Sequence, residues 1–157
     1  MSKRQGPKGK GQRRKELFRI IDANFNRSRE GLRVCEDISR FILNSPSITR
    51  KLKSVRHMIS EIMAKSSNRN STDMFVEYRN VKKDVGRAVR LQAEMKRCDW
   101  RDIFTANIER VKESLRVLEE FFKLVDRKAS DRFTILRFKV YDIEKKAIER
   151  IESYRLS

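Results

Sequence analysis

Two stretches of the chain share one pattern of polar and apolar residues, and this repetition constrains the fold more than any other feature. "ANFNRSREGLRVCEDISR" at 23–40 aligns without a gap with "ANIERVKESLRVLEEFFK" at 106–123, and eight of the eighteen positions are identical. Ordinary residue frequencies would give only about one or two matches by chance. The sequence therefore predicts an internal repeat of one main helix, with the two copies 83 positions apart.

Helical periodicity runs through most of the chain, and breakers are rare, with 5 Gly and 2 Pro in 157 residues. Pro46 suits the first turn of a helix. The alternating residues of 73–86 favour a short extended segment instead. The periodicity predicts helices at 16–43, 46–65, 87–96, 100–125 and from 130 to near the C-terminus. We therefore expect an all-α fold, a bundle of about five helices that forms a single domain over 16–157.

The chain carries a formal net charge of +17, and the segment 1–15 supplies seven of these charges without any acidic residue. This segment is rich in Gly, Gln and Lys and has almost nothing to bury, so we expect residues 1–15 to form a disordered basic tail. Such a tail would contact nucleic acid only non-specifically. The positive charge of the remaining chain indicates an anionic partner, either large or small.

Several classes of protein are disfavoured by the residues that are absent. No apolar run exceeds three residues, so we expect no membrane partner. Cys35 and Cys98 lack metal-ligand spacing, and we interpret them as reduced, buried thiols of a cytoplasmic protein. A single histidine, His57, argues against histidine triads and multi-histidine metal sites. Phosphoryl transfer remains compatible, because its catalysis needs cations, Mg²⁺ and few other groups.

Charged residues recur beside the apolar stripe of both copies. On a helical wheel Ala23, Val34 and Phe41 share one face, and Arg27 and Glu30 lie within about 40° of it. Charges on a buried face must be paired or must meet a polar ligand. Two interpretations stay open. Either the Arg and Glu of one copy pair with their counterparts across a twofold helix pair, or the two helices line a polar cleft that receives an anion and its metal.

The order of several motifs adds a family resemblance. "RIIDANFNRSREGLRVCED", "LKSVRH", "DVG" and "ANIERVKESLRVLEEFFKL", followed by "LRFKVYDIEKKAI", occur in that order. In this the chain resembles the small hydroxymethylpyrimidine-phosphate kinase family of thiamine biosynthesis, over roughly residues 16–150. Members of that family stand alone or are fused N-terminal to thiamine-phosphate synthase. The resemblance implies ATP-dependent phosphorylation of hydroxymethylpyrimidine monophosphate to the diphosphate, with Mg²⁺ as helper and thiamine-phosphate synthase as a partner.

The resemblance assigns no residue roles, so we predict them from residue type within the resembling segments. The predicted catalytic residues are Arg27, Arg33 and Glu30, and the predicted substrate-binding residues are Asn24, Asn26, Arg56, His57 and Arg79. Among the latter, Asn26 would orient the pyrimidine. Glu30 and Asp84 are the predicted metal ligands, because carboxylates suit Mg²⁺.

The two copies of the repeat are predicted to differ in role. The first copy has Asn26, Arg29 and Gly31, and a glycine would let a ligand approach the helix closely. The second copy is predicted to be structural, with Arg110 and Glu113 buried as a pair. One small asymmetric substrate needs only one set of contacts, so we expect the first copy to hold the site.

Two other classes of function compete with the kinase. A basic helical module associated with RNA or the ribosome would explain the charge, but no nucleic-acid-binding motif is recognisable, and the aromatic residues are not interleaved with basic ones as a stacking platform requires. A non-catalytic domain that docks onto thiamine-phosphate synthase is the other alternative. The sequence leaves the oligomeric state open, and a homodimer is compatible with it.

Overall fold

The computed structural model describes residues 9–66 and 97–155, which form four α-helices and no strand. The helices are α1 (Lys10–Phe41), α2 (Pro46–Ser66), α3 (Trp100–Phe122) and α4 (Arg127–Arg155). The prediction of an all-α bundle is confirmed for these residues, none of whose helices has the length and apolar character that a membrane span requires. The predicted helix at 87–96, the extended segment at 73–86 and the site residues Arg79 and Asp84 lie outside the described residues.

Helix α1 begins at Lys10, ahead of the start at residue 16 predicted from periodicity. The expectation of a disordered tail therefore does not hold for residues 10–15. Lys, Gln and Arg have good helix propensity, and extending an existing helix avoids the cost of a new nucleus. Residues 11–15 are exposed to solvent, so this part of α1 extends along the surface without entering the core.

A tight connection makes α1 and α2 antiparallel neighbours. After α1 ends at Phe41, Asn44 adopts a left-handed conformation with a φ of 46°, which asparagine tolerates better than most residues. Helix α2 then begins at Pro46, as predicted. The carbonyl of Ser45 accepts hydrogen bonds from the backbone N–H of Thr49 at 3.1 Å and from its Oγ1 at 2.8 Å.

Carboxylates cap the two helices of the second half. The side chain of Asp99 accepts hydrogen bonds from the backbone N–H groups of Arg101 and Asp102 at the start of α3. The hydrogen bond from the Arg101 guanidinium lowers the pKa of Asp99 to about 2, and these N–H groups act in the same direction. Asp126 plays a similar role for α4 and also accepts a hydrogen bond from Ser66 Oγ at 3.0 Å, which connects the end of α2 to the start of α4.

The four helices pack as a ring around one core. Helix α1 contacts α2 and α3, and α4 contacts the same two helices from the other side. The apolar residues that α2 and α4 bury occur at the same spacing, 81 positions apart: Ile48, Leu52, Val55, Ile59 and Ile62 in α2, and Ala129, Phe133, Leu136, Val140 and Ile143 in α4. The α1–α2 hairpin and the α3–α4 hairpin therefore bury equivalent faces.

Gly31 lies where α1 crosses α3. A Cβ atom at this glycine would be 2.8 Å from Cγ2 of Val111 and 2.9 Å from the backbone oxygen of Asn107. The space that a side chain would need is therefore filled by α3. The prediction that Gly31 lets a ligand approach α1 is wrong, since the close approach that it permits is between two helices.

The two cysteines have opposite environments. Cys35 is buried at the crossing of α1 and α3, where its Sγ is 3.6 Å from the backbone oxygen of Phe104. Cys98 is exposed just before α3, so the prediction of two buried thiols is wrong for Cys98. Burial, with a smaller contribution from the negative charge of Glu144, raises the pKa of Cys35 to about 12.

Candidate functional site

The charged residues beside the apolar stripe of the repeat do not lie on a buried face. Arg27 and Glu30 are exposed, and so are Arg110 and Glu113. The wheel through Ala23, Val34 and Phe41 was misleading because it follows the edge of the apolar stripe; Phe41 itself is 66% exposed. The residues that α1 buries toward the core are Phe18, Ile21, Phe25, Leu32, Cys35 and Ile38. Within the described residues, the structure gives no ion pair that joins Arg27 or Glu30 of α1 to Arg110 or Glu113 of α3.

The buried carboxylates of α1 are instead Asp22 and Glu36, and Glu36 holds two arginines. Glu36 Oε2 accepts a hydrogen bond from Nε of Arg56 in α2 at 3.1 Å, and its Oε1 is 3.4 Å from Nη1 of Arg33. Arg33 also approaches Asp37 at 3.8 Å. We call Arg33, Glu36, Asp37 and Arg56 the first ion cluster. The cluster connects α1 to α2, and only 7% of the Glu36 side chain is exposed.

The same arrangement occurs in the second half of the chain. Glu119 Oε2 accepts a hydrogen bond from Nε of Arg137 in α4 at 2.9 Å, and its Oε1 pairs with Nη1 of Arg116. Arg116 also pairs with Glu120 at 2.8 Å. We call Arg116, Glu119, Glu120 and Arg137 the second ion cluster. Arg116, Glu119 and Glu120 stand 83 positions after their counterparts Arg33, Glu36 and Asp37 in α1. Arg137 stands 81 positions after its counterpart Arg56 in α2.

The two clusters differ in what covers the arginine of the second helix. Arg137 donates from Nη1 to the hydroxyl of Tyr141 at 3.1 Å, and its guanidinium lies 4.9 Å from the ring centroid of Phe138. The hydrogen bonds to Tyr141 and then to Glu119 raise the pKa of Arg137. At the position that corresponds to Tyr141, α2 has Ser60, whose Oγ donates to the backbone oxygen of Arg56 at 3.2 Å. Within the described residues Ser60 gives the guanidinium of Arg56 no second hydrogen bond, although the side chains of Arg56 and Arg137 are similarly exposed, at 18% and 15%.

An open depression of about 550 Å³ lies beside the first ion cluster. Its lining residues come from α1 and α2 and are mostly charged: Asn26, Arg29, Glu30, Arg33, Val34, Asp37 and Arg56. We call it the α1–α2 depression. Its volume falls in the range of small-molecule sites, and its three guanidinium groups suit planar, bidentate recognition of phosphate.

The structure brings together four of the predicted site residues, Asn26, Glu30, Arg33 and Arg56, as part of this lining. Asn26 is held in place by hydrogen bonds from its Nδ2 to the backbone oxygen and to Oδ1 of Asp22. Three further candidates, Asn24, Arg27 and His57, do not belong to the lining. Asn24 is buried, and its Nδ2 donates to the backbone oxygen of Ile20 at 2.9 Å, while His57 is exposed.

Sequence reasoning missed Glu36 and Asp37 as parts of the site, and it named Arg29 as a feature of the first copy without giving it a role. Glu36 was visible in the alignment, because it is identical to Glu119 in the second copy. Its importance could not be recognised because the partner, Arg56, lies on a different helix. Arg29 gave a weaker signal, since its counterpart Lys112 retains only the charge.

The residues around the depression can supply one or two carboxylates to a metal. Glu30 and Asp37 line it, and Mg²⁺ bound with a nucleotide commonly takes only one or two protein carboxylates beside phosphate oxygens. Within residues 9–66 and 97–155, no group of three metal-ligating side chains is assembled. Glu30 and Asp37 therefore fit a Mg²⁺ ion that takes its other ligands from phosphate oxygens.

Comparison with known proteins identifies the family. The model of the ThiD2 family matches residues 19–146, and the chain belongs to this family. It is 36% identical over 138 residues to a thiamine-phosphate synthase of Thermosynechococcus vestitus, an alignment that covers 88% of this chain and 36% of the relative. It is 35% identical over 125 residues to one of Rhodopirellula baltica, covering 80% of this chain and 32% of the relative.

These relatives connect the family with thiamine biosynthesis. A thiamine-phosphate synthase of Prochlorococcus marinus is 33% identical over 128 residues, with 82% of this chain and 34% of the relative covered. The chain thus spans about a third of the length of the relatives that it matches. No solved structure matches the chain.

Proposed function

We propose that this chain phosphorylates hydroxymethylpyrimidine monophosphate to the diphosphate, with ATP as donor and Mg²⁺ as helper. The observation that carries the proposal is the α1–α2 depression, in which Arg29, Arg33 and Arg56 converge on an open space between two helices. The membership in a family connected with thiamine biosynthesis supports the choice of substrate. The resemblance of the motifs of this chain to the hydroxymethylpyrimidine-phosphate kinase family supports the reaction.

The chemistry of this reaction matches the residues of the depression. The phosphate oxygen of the acceptor attacks the γ-phosphorus of ATP, and the bond from that phosphorus to the β–γ bridging oxygen breaks to release ADP. An acceptor phosphate is already anionic, so no general base has to remove a proton. Catalysis then consists of positioning and of neutralising charge. Arg56, oriented by Glu36, and Arg33, oriented by Glu36 and Asp37, would supply both.

Glu30 and Asp37 are the carboxylates that could hold Mg²⁺ beside the depression, where the ion would supply neutralisation of phosphate charge. Glu30 is the carboxylate of the depression for which the structure gives no ion pair within the described residues. Glu30 would therefore hold the ion on the protein side. Asn26, fixed by Asp22, would present its amide toward the pyrimidine.

A turnover assay with two acceptors tests this function. The chain is incubated with Mg²⁺, ATP and either hydroxymethylpyrimidine monophosphate or the unphosphorylated alcohol, and products are followed by ³¹P NMR. We expect the diphosphate to form from the monophosphate and little product from the alcohol, because the described residues offer no evident base for a neutral hydroxyl. Equal turnover of the two acceptors would contradict the proposed mechanism, and no diphosphate from a folded protein would contradict the function.

A second candidate function is docking onto thiamine-phosphate synthase. A groove of about 620 Å³ runs between α2 and α4, and we call it the α2–α4 groove. Two of its apolar lining residues are prominently exposed, Ile135 at 56% and Phe138 at 58%. Exposed apolar clusters of this kind are typical of protein contacts. The relatives are about three times as long as the matched region, which favours a partner of the synthase type.

Co-elution measures this docking directly. The chain is mixed with the thiamine-phosphate synthase of its own organism and analysed by size-exclusion chromatography. Docking through the groove predicts co-elution that Phe138→Lys abolishes. Phe41→Lys is the matched control, because Phe41 is 66% exposed but does not line the groove. Separate elution of the unmodified proteins, or equal loss with both variants, would refute docking at this surface.

A further inference from the structure

Arg29 is a cation of the α1–α2 depression whose charge is poorly compensated. It is half-buried, and its guanidinium lies 5.1 Å from the ring centroid of Phe25. Its Nε atom is buried, and the described residues offer it no hydrogen-bond partner. An arginine stays charged at any physiological pH, and a buried donor without a partner is unfavourable. Stacking on Phe25 offsets only part of this cost.

In the second half, the residue that corresponds to Arg29 is Lys112, and its charge is compensated by two glutamates. Lys112 stands 83 positions later, and its Nζ donates to Glu109 and to both carboxylate oxygens of Glu144, the latter at 2.8 Å. Burial alone would lower the pKa of Lys112, but the hydrogen bonds to the two glutamates outweigh this effect and raise it. The cation of the second half is therefore neutralised within the protein.

Two neutral residues explain the difference. The position of Glu109 is occupied in α1 by Asn26, and the position of Glu144 is occupied in α2 by Met63, at the same offset that relates Arg56 to Arg137. Met63 is only 1% exposed and offers no carboxylate. Within residues 9–66 and 97–155, a cation thus stands at both equivalent places and has counter-ions at only one. An external anion is the partner that would complete the other.

We propose that Arg29 is an anion-binding residue, which receives a phosphate group together with Arg33 and Arg56, and that Met63 and Asn26 leave its charge free for this purpose. The inference rests on the site of the proposed function but does not depend on catalysis. The phosphate group comes either from the nucleotide or from the pyrimidine monophosphate, and both present the same anionic oxygens to a guanidinium.

Isothermal calorimetry with two probes tests the proposal and separates these sources. ATP without metal and hydroxymethylpyrimidine monophosphate are titrated into the unmodified chain, Arg29→Met and Lys112→Met. We expect Arg29→Met to weaken the binding of at least one probe at least tenfold, and the affected probe identifies the source of the phosphate. Lys112→Met removes the matched cation of the second half and should change both affinities less than threefold.

Met63→Glu provides an independent arm. It recreates in the first half the carboxylate that Glu144 supplies in the second, so we expect it to weaken the same probe by a similar factor while Arg29 stays in place. Near-ultraviolet circular dichroism verifies the fold of each variant, and Arg29→Lys, which retains the charge, should bind more tightly than Arg29→Met.

The outcomes distinguish this inference from the proposed function. Loss of binding in Arg29→Met and Met63→Glu supports the inference even if no diphosphate is ever formed, in which case the kinase function alone fails. Unchanged affinity in both variants, or no binding of either probe to the unmodified chain, overturns the inference. An equal loss in Lys112→Met also overturns it, because the effect would then be non-specific.

Discussion

The first and second ion clusters share one arrangement of ion pairs and differ in the residues around it. In both, a buried glutamate, Glu36 or Glu119, holds one arginine from its own helix and one from the next helix. Around the second cluster, Tyr141 covers the arginine and Glu144 neutralises the neighbouring lysine. Around the first cluster the corresponding residues are Ser60 and Met63, and the α1–α2 depression lies beside it. Three positions thus distinguish the two networks: Ser60, Met63 and Asn26 around the first, and Tyr141, Glu144 and Glu109 around the second.

This difference teaches how a structural element can become a binding site with few changes. A closed network that satisfies its own charges stabilises the contact between two helices. Without the aromatic partner and the counter-ions, the same scaffold keeps its oriented cations beside an open depression. The glutamate then keeps a second role, since it orients the arginines that would meet the ligand. The internal repeat of the main helix stays a prediction from the sequence.

The largest effects are expected at the two buried glutamates. Glu36→Gln and Glu119→Gln each replace a charge-assisted hydrogen bond, so each should lower the free energy of unfolding by about 1–3 kcal/mol. Only Glu36→Gln should also lower kinase turnover, because Arg33 and Arg56 lose their orientation. Urea unfolding and the turnover assay measure the two effects. Turnover lost equally in both variants would contradict the division of roles.

The helix crossing beside the first cluster should respond next most strongly. Gly31→Ala inserts a Cβ atom 2.8 Å from Val111 and 2.9 Å from the Asn107 backbone. Overpacking costs about 1–3 kcal/mol, and the gain in helix propensity offsets about 1 kcal/mol, so we expect a net loss of up to about 2 kcal/mol. Ser114 occupies the corresponding place in α3 and already has a Cβ atom, so Ser114→Ala should lose less stability. A stabilised Gly31→Ala variant would show that the crossing is looser than described.

The two cysteines should differ in reactivity and in their response to pH. At pH 8 a thiol reagent should modify Cys98 rapidly and leave Cys35 protected, because Cys35 is buried and its pKa is raised from 9.0 to about 12. The protonated thiol is favoured in the folded state, so its contribution to stability is complete below pH 9.0 and is lost as the pH rises toward 12. Mass spectrometry of the labelled Cys98→Ser variant isolates Cys35. Rapid labelling of Cys35 below pH 9 would indicate that α1 and α3 separate readily.

The smallest effects on stability are expected at the exposed charges of the repeat. Arg27→Ala, Glu30→Gln, Arg110→Ala and Glu113→Gln should each change the free energy of unfolding by no more than about 0.5 kcal/mol, because all four residues are exposed. If Arg110 and Glu113 were buried as a pair, as the sequence predicts, their substitution would lower the free energy of unfolding much more. Glu30→Gln should still lower turnover through the metal, whereas Glu113→Gln should not, and equal turnover in these two variants would exclude Glu30 as a ligand.

The sequence predicted the all-α fold class because helical periodicity is a local property, whereas the internal repeat stays a prediction. It misassigned the buried face of α1, since three residues on a wheel cannot show that α1 packs against both α2 and α3. It predicted Arg33, Arg56, Asn26 and Glu30, which the structure brings to one depression. The roles of these residues remain predictions.

The contrast between the clusters could not be read from the sequence because it depends on α2 and α4. The offset that relates α2 to α4 differs from the one that relates α1 to α3, so no single gapless alignment covers both pairs. The correspondence of Met63 with Glu144, and of Ser60 with Tyr141, follows only once Arg56 and Arg137 are seen to bind equivalent glutamates.

The most direct test of the central claim is the kinase activity of Arg56→Met compared with Arg137→Met. Each variant removes the arginine that the buried glutamate of its cluster binds, so their losses of stability should be similar. With hydroxymethylpyrimidine monophosphate, ATP and Mg²⁺, we expect Arg56→Met to reduce kcat/KM by about 100-fold, while Arg137→Met stays within about threefold of the unmodified chain. Equal activities in two folded variants, or the larger loss in Arg137→Met, would contradict the assignment of the site to the first ion cluster.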